Sequence, residues 1–318
     1  MNRSRSRGAG RALTLALVLA AWGLLAPAVL GAPDYVLPNE EGAWSVPAGV
    51  TPGVAGGEVT ISVEGAGRHT LDLDEVGTLR TDVFRDGQSS VFDVLVALAD
   101  RGTVDLTYRY DEGTETYVID ALNESSDWWY EAFYDGGWPE SNVTRMDLYP
   151  VKDGTTIRFA KVRPAYLESI RETFLEEVAR RIVADGAVIV PEVTIRAPGW
   201  RVQFEDVVVT AHDLRSDVLQ PGTITALDIL LSLGEQALLE RVGLTWYESI
   251  GSADPVGDFF VEQIDVAEGS AVASGTCGFV YEVGPHEFEG FRGSHIHIPT
   301  DVRVLVSPEY AEWFWICL

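Results

Sequence analysis

Asp86-Gly87-Gln88-Ser89-Ser90-Val91-Phe92-Asp93-Val94-Leu95 and Pro221-Gly222-Thr223-Ile224-Thr225-Ala226-Leu227-Asp228-Ile229-Leu230 decide the fold, because each reads as a turn running into a short helix. They start 135 positions apart. Glu58-Val59-Thr60-Ile61 and Glu192-Val193-Thr194-Ile195, both strand-like, start 134 apart, so the register is nearly kept. Repetition at a fixed period predicts the same unit twice. Ser90 with Asp93 and Thr225 with Asp228 place a hydroxyl three residues before an acid at each helix start, an N-terminal box that satisfies free backbone donors.

Strands follow each helix. Val104 to Tyr110 alternates apolar and polar side chains, as a half-buried strand does, and is matched by Val242 to Tyr247. Tyr117-Val118-Ile119 pairs in order with Phe259-Phe260-Val261, and the aromatic run Trp128 to Tyr134 with Gly278 to Val283. Thr156 to Phe159 and Glu312 to Ile316 close the two copies. Between the copies, Leu167, Ile170, Phe174, Val178 and Ile182 recur at helical spacing from Ala165 to Asp185, with Gly186 placed as a C-cap.

The expected architecture is α+β: two tandem β-grasp-like modules joined by an amphipathic helix. The organisation reads as 1–32 signal peptide, 33–57 irregular leader, 58–163 first module, 164–190 linker helix and 191–318 second, more divergent module. Arg3, Arg5, Arg7 and Arg11 before the apolar run Ala12 to Leu25, then small residues, have the anatomy of a cleaved secretory signal. An uncleaved N-terminal anchor is the competing reading. Either places the chain in a secreted or extracytoplasmic setting, with no stable membrane span after cleavage.

The formal charge is −26, and loss of the four arginines at the start leaves −30. So acidic a surface repels phosphates, which excludes nucleic acid as a partner. Only Cys277 and Cys317 are cysteines, and an even pair in an exported chain reads first as a disulfide, with a reactive or metal-bound thiol pair as the alternative.

The turn, helix, aromatic stretch and closing turn together resemble the transcobalamin C-terminal-like modules of exported proteins. The residues that carry the resemblance are Gly87 through Leu98, Gly222 through Leu233, Asp127 through Gly136, and Lys152-Asp153-Gly154-Thr155. Ser307-Pro308-Glu309 stands where the second copy would close with Asp-Gly. The resemblance implies a β-grasp fold and a binding or surface role, with a corrinoid as one ligand it suggests.

Two clusters could carry such a role. Trp128, Tyr130, Tyr134 and Trp138 could form a platform for a flat ligand, or could be core. His286, His295 and His297 could converge on a divalent metal, or be exposed on a wet strand. No nucleophile elbow, zinc-protease helix, phosphate loop or dinucleotide fingerprint occurs in the sequence. The expected function is therefore non-catalytic: binding of a small-molecule ligand or another surface protein, with corrinoid binding and metal binding by the histidines as alternatives.

Overall fold

The computed structural model describes residues 34–35, 56–134, 143–249, 256–288 and 298–317. These residues are α+β, with three α-helices and several small sheets among them. The first half comprises β2 (Glu58–Val63), β3 (Gly67–Asp72), α1 (Val91–Asp100), β4 (Leu106–Asp111), β5 (Thr116–Leu122), β6 (Trp128–Phe133) and β7 (Thr156–Lys161). The long helix α2 (Pro164–Val183) follows. The second half comprises β8 (Val188–Ala197), β9 (Trp200–Val209), α3 (Ala226–Glu235), β10 (Arg241–Tyr247), β11 (Asp258–Val266), β12 (Gly269–Val272), β13 (Cys277–Gly284) and β14 (Tyr310–Cys317). A two-residue strand, β1 (Asp34–Tyr35), comes from the leader and pairs with β10.

The first half's main sheet runs β3-β2-β7-β6, with β2 antiparallel to β3, parallel to β7, and β7 antiparallel to β6. The second half's runs β9-β8-β14-β13, antiparallel, parallel and antiparallel in the same places. The parallel pairing at the centre of each sheet requires a crossover, and α1 and α3 lie within these connections. Val59, Ile61 and Val63 of β2, and Val193 and Ile195 of β8, are buried beside these helices. Each half adds an antiparallel hairpin, β4-β5 in the first and β10-β11 in the second, the latter extended by β1 and β12.

Both helices start as the hydroxyl-to-acid spacing predicts. Asp93 accepts the backbone N–H of Ser90 at 2.7 Å, and the Ser90 hydroxyl accepts the Asp93 N–H at 3.2 Å. Asp228 accepts the N–H and the hydroxyl of Thr225 at 2.6 and 2.9 Å. Burial holds Asp93 above the usual carboxylate range, against the pull of the Ser90 donors.

Helix α2 turns Ile170, Phe174 and Val178 inward, as its spacing predicts, and its end is closed by a left-handed turn at Asp185 and Gly186. Ile182 departs from the expected stripe and is 70 % exposed, because the last turn runs past the surface on which the helix lies. The helix touches both halves: Arg145 donates to Glu177 and to the Phe174 carbonyl, while Arg180 donates to the Ser307 carbonyl at 3.0 Å. Val218, Leu219, Phe288, Ile298, Val302, Val304 and Val306 of the second half join the first half's core cluster, so the two halves share apolar interior. Among the described residues, no helix is long and apolar enough to cross a membrane.

Candidate functional site

Buried charge gathers in two knots whose parts recur in both halves. Before α1, Arg80 grips Asp82 through Nε and Nη2, at 2.9 and 2.8 Å, and reaches Asp147 Oδ2 through Nη1 at 2.8 Å. Asp147 also accepts the Tyr117 N–H at 3.2 Å and the Thr116 hydroxyl, pinning the start of β5. Before α3, Arg215 grips Asp217 through Nε and Nη2, both at 3.0 Å, and reaches Asp301 Oδ2 through Nη1 at 2.8 Å. Asp301 Oδ2 accepts the Phe259 N–H at 3.0 Å, pinning the start of β11.

The second knot carries more charge. Where Thr116 stands in the first, Asp258 adds a carboxylate, which Arg215 Nη1 meets at 2.8 Å. Lys152, one of only two lysines in the chain, crosses from the first half to Asp258 Oδ2 and the Val256 carbonyl, both at 2.7 Å. Two cations thus face Asp217, Asp258 and Asp301. Burial works against the charge of Arg215, but Asp301, Asp258 and Asp217 outweigh it and hold its pKa well above the usual value. Asp301 takes the opposite consequence: burial, reinforced by Asp258, pushes its carboxyl up to about 6 against the pull of Arg215. Its Oδ1 is buried with no hydrogen-bond partner among the described residues. Asp301 lines a small cleft with Arg215, Gln220, Thr223 and Thr225, of about 10 Å³, room for one water.

Beside the knots the two pre-helix turns meet as an antiparallel bridge between Phe84 and Leu219. Arg85 N–H donates to the Val218 carbonyl at 3.0 Å and Gln220 N–H to the Val83 carbonyl at 2.8 Å. Arg85 Nε also reaches the Leu219 carbonyl at 3.2 Å, and Gln220 Nε2 the Phe84 carbonyl at 3.1 Å. Each of these residues stands 135 positions from its opposite number, so the bonds are related by a local two-fold. Two equivalent surfaces bonding this way have the geometry of an isologous interface.

The aromatic run expected to offer a platform is mostly interior. Trp128, Trp129 and Tyr130 of β6 are all buried. Trp128 Nε1 donates to the Ser125 carbonyl at 2.9 Å and the Tyr130 hydroxyl to the Thr144 carbonyl at 2.9 Å. Tyr134 is half-buried, donates to the Pro150 carbonyl at 3.0 Å, and carries Lys152 Nζ 4.2 Å over its ring. Trp138 lies outside the described residues.

Of the three histidines proposed for a metal, His295 and His297 lie outside the described residues. His286 is exposed, stacks on Tyr310 with ring centroids 4.6 Å apart, and sits 3.7 Å from Glu192. Among the described residues, no group of three His, Cys, Asp or Glu side chains is arranged to hold a metal ion. The Cys277 and Cys317 sulfurs lie 2.02 Å apart, at disulfide distance, across the last rung of the β13-β14 ladder.

His212 is the histidine nearest to a catalytic arrangement, with Nδ1 2.9 Å from Asp228 and Nε2 3.3 Å from Glu235. These two contacts are to carboxylates, and the one to Glu235 lacks hydrogen-bond geometry. Sequence reasoning overlooked Arg80, Asp147, Arg215, Asp258 and Asp301. The repeated Arg80-Thr81-Asp82 and Arg215-Ser216-Asp217 triplets, in register with the helix repeat, are the signal that could have found them.

One aromatic group is better placed for contact than the predicted run. Tyr281 and Trp313 stack in the core, and the next rung outward on that face is Phe279 against Trp315, edge-on at 5.1 Å and half-buried. The Cys277–Cys317 bridge closes the ladder just beyond. The chain matches no family model, and no curated protein matches it in sequence.

Proposed function

We propose that the chain is two tandem β-grasp-like modules joined by α2, and that it is an exported, non-catalytic protein that binds a small-molecule ligand or another surface protein. The observation that carries this reading is the matched set of buried polar groups. Arg80 and Arg215, Asp147 and Asp301, and Ser90 and Thr225 do the same structural work at the same places in two sheets of identical strand order and sense. Buried polar chemistry that recurs in each half serves to pin each fold, whereas an active site concentrates unusual groups in one place. The Phe279–Trp315 rung supplies the working surface: two half-buried rings, held by the disulfide, at the end of an aromatic stripe.

The test has two arms and one set of variants. Labelled mature chain is titrated onto intact cells of the producing organism, and unlabelled chain is titrated with cyanocobalamin by visible difference spectra. Saturable binding in either arm, weakened at least tenfold by Phe279→Ala or Trp315→Ala, is expected. Binding to the cobalamin alone would make the protein corrinoid-binding, and binding to cells alone would assign a macromolecular partner. Absence of saturable binding in both arms overturns the reading.

A further inference from the structure

The second inter-half cavity contains a charge that nothing nearby answers among the described residues. It is lined from the first half by Val143, Thr144, Arg145 and Leu148, by Glu177 of α2, and from the second half by Val283, Arg303 through Val306, and Pro308. Each nitrogen of the Arg145 guanidinium has a partner: Nε donates to the Thr114 carbonyl at 2.9 Å, Nη2 to the Phe174 carbonyl at 3.2 Å, and Nη1 to the Glu177 carboxylate. Arg303 is only 6 % exposed, yet its Nε has no partner and it forms no ion pair among the described residues.

A guanidinium cannot escape this by losing its proton. An uncompensated buried charge is among the costliest things a fold can contain. Nor does the fold require a charge at this position. The counterpart in the first half is Tyr149, whose carbonyl accepts the N–H that opens α1, from Val91 at 3.0 Å. The Arg303 carbonyl does the same for Ala226 of α3 at 2.9 Å. A large neutral side chain satisfies the architecture there, so the arginine calls for a different cause.

We propose that this cavity is a binding site for one small monovalent anion, chloride in its most abundant form. Arg145 and Arg303 against Glu177 leave one positive charge unanswered, which fixes the ligand as a monoanion. The cavity volume is about 10 Å³, room for a single water-sized occupant, which favours a halide over sulfate, phosphate or a carboxylate ligand. A water molecule would satisfy the Arg303 N–H but not its charge. Because residues from both halves and from α2 line the cavity, the anion cements the seam between them.

The full mature chain is melted in sodium gluconate with chloride substituted at constant ionic strength, so that general screening is held fixed. The melting temperature is expected to rise with chloride by about 5 °C at saturation, as for any ligand bound only by the folded state. Arg303→Met abolishes the rise. Glu177→Gln, which removes the competing carboxylate, moves its midpoint to at least tenfold lower chloride. A melt indifferent to chloride, or a rise that persists in Arg303→Met, overturns the site. Should Arg303→Met fail to fold, bromide-soaked crystals of the native chain decide: an anomalous peak beside Arg303 supports the site, and an empty cavity overturns it.

Discussion

At the scale of the residue, Asp301 has the most measurable consequence. A carboxyl raised to about 6 in the folded chain, against about 4 when unfolded, keeps a proton in the folded state that the unfolded state has released. Below pH 4 both states are protonated and the group contributes nothing. As pH rises from about 4 to about 6, the folded chain holds more protons than the unfolded one. Stability therefore falls through this window, by on the order of 3 kcal/mol once pH exceeds 6. Asp301→Asn keeps an oxygen for Arg215 Nη1 and the Phe259 N–H, and puts an uncharged amide where Oδ1 is unpartnered. Urea unfolding at pH 4.5 and pH 7 should show the variant gaining on the native chain as pH rises, by about 2 kcal/mol, since part of the loss has already occurred at pH 4.5. A variant that tracks the native chain at both values would contradict a raised Asp301. The first half offers an internal control, since Thr116 stands where Asp258 stands and, among the described residues, no third carboxylate joins Arg80, Asp82 and Asp147.

At the scale of the element, α2 and the β13-β14 ladder make separate predictions. Phe174 is buried on α2 beneath the Arg145 guanidinium, 4.3 Å over its ring, whereas Ile182 two turns later is open to solvent. Phe174→Ala should cost about 3–5 kcal/mol and Ile182→Gln less than about 0.5 kcal/mol, by urea midpoint at constant m-value. Equal costs would mean that the helix does not lie as described. The Cys277–Cys317 bridge spans 40 positions, so on the chain-entropy account its reduction should cost about 4 kcal/mol. Melting with and without reductant, and of Cys277→Ser with Cys317→Ser, measures that loss. What the sequence made legible at this scale follows from periodicity and caps. β4, β6, β7, β10, β11, β13 and β14 announced themselves by alternation or aromatic runs, and α1 and α3 by their acid boxes. β3 and β9 did not: Gly-Arg-His-Thr-Leu-Asp buries little but Leu71, and β9 keeps its buried positions mainly at Val207 and Val209. Edge strands with one wet face have too few apolar residues to stand out from loop. The charged knots stayed hidden for a different reason: with 49 acids in the chain, composition cannot distinguish a buried Asp147 or Asp301 from a solvated one.

At the scale of the whole molecule, the central fact is that two halves with matched strand order are welded rather than strung together. Leu219 and Phe84 bridge the halves, Val302, Val304 and Val306 enter the first half's core, and Lys152 crosses to Asp258. None of this was readable from either half alone, because a seam is a relation between two surfaces, and each surface by itself reads as a polar turn. A shared core removes the independence expected of domains on a linker, whose interfaces are small and polar. Unfolding should consequently be one transition, with far-ultraviolet circular dichroism and tryptophan fluorescence superimposing. Phe84→Ala is the sharper test. Phe84 is fully buried at the local two-fold, so truncation should cost about 3–5 kcal/mol. If the halves were autonomous, that loss would fall on the first half and split the melt into two steps. If the seam holds them as one body, the single transition moves down intact. Trp246, Trp313 and Trp315 in the second half, against Trp128 and Trp129 in the first, let fluorescence from single-tryptophan variants report which half melts first. Coincident loss in both would show that the repeat functions as an internal dimer, in which each copy buries what the other exposes.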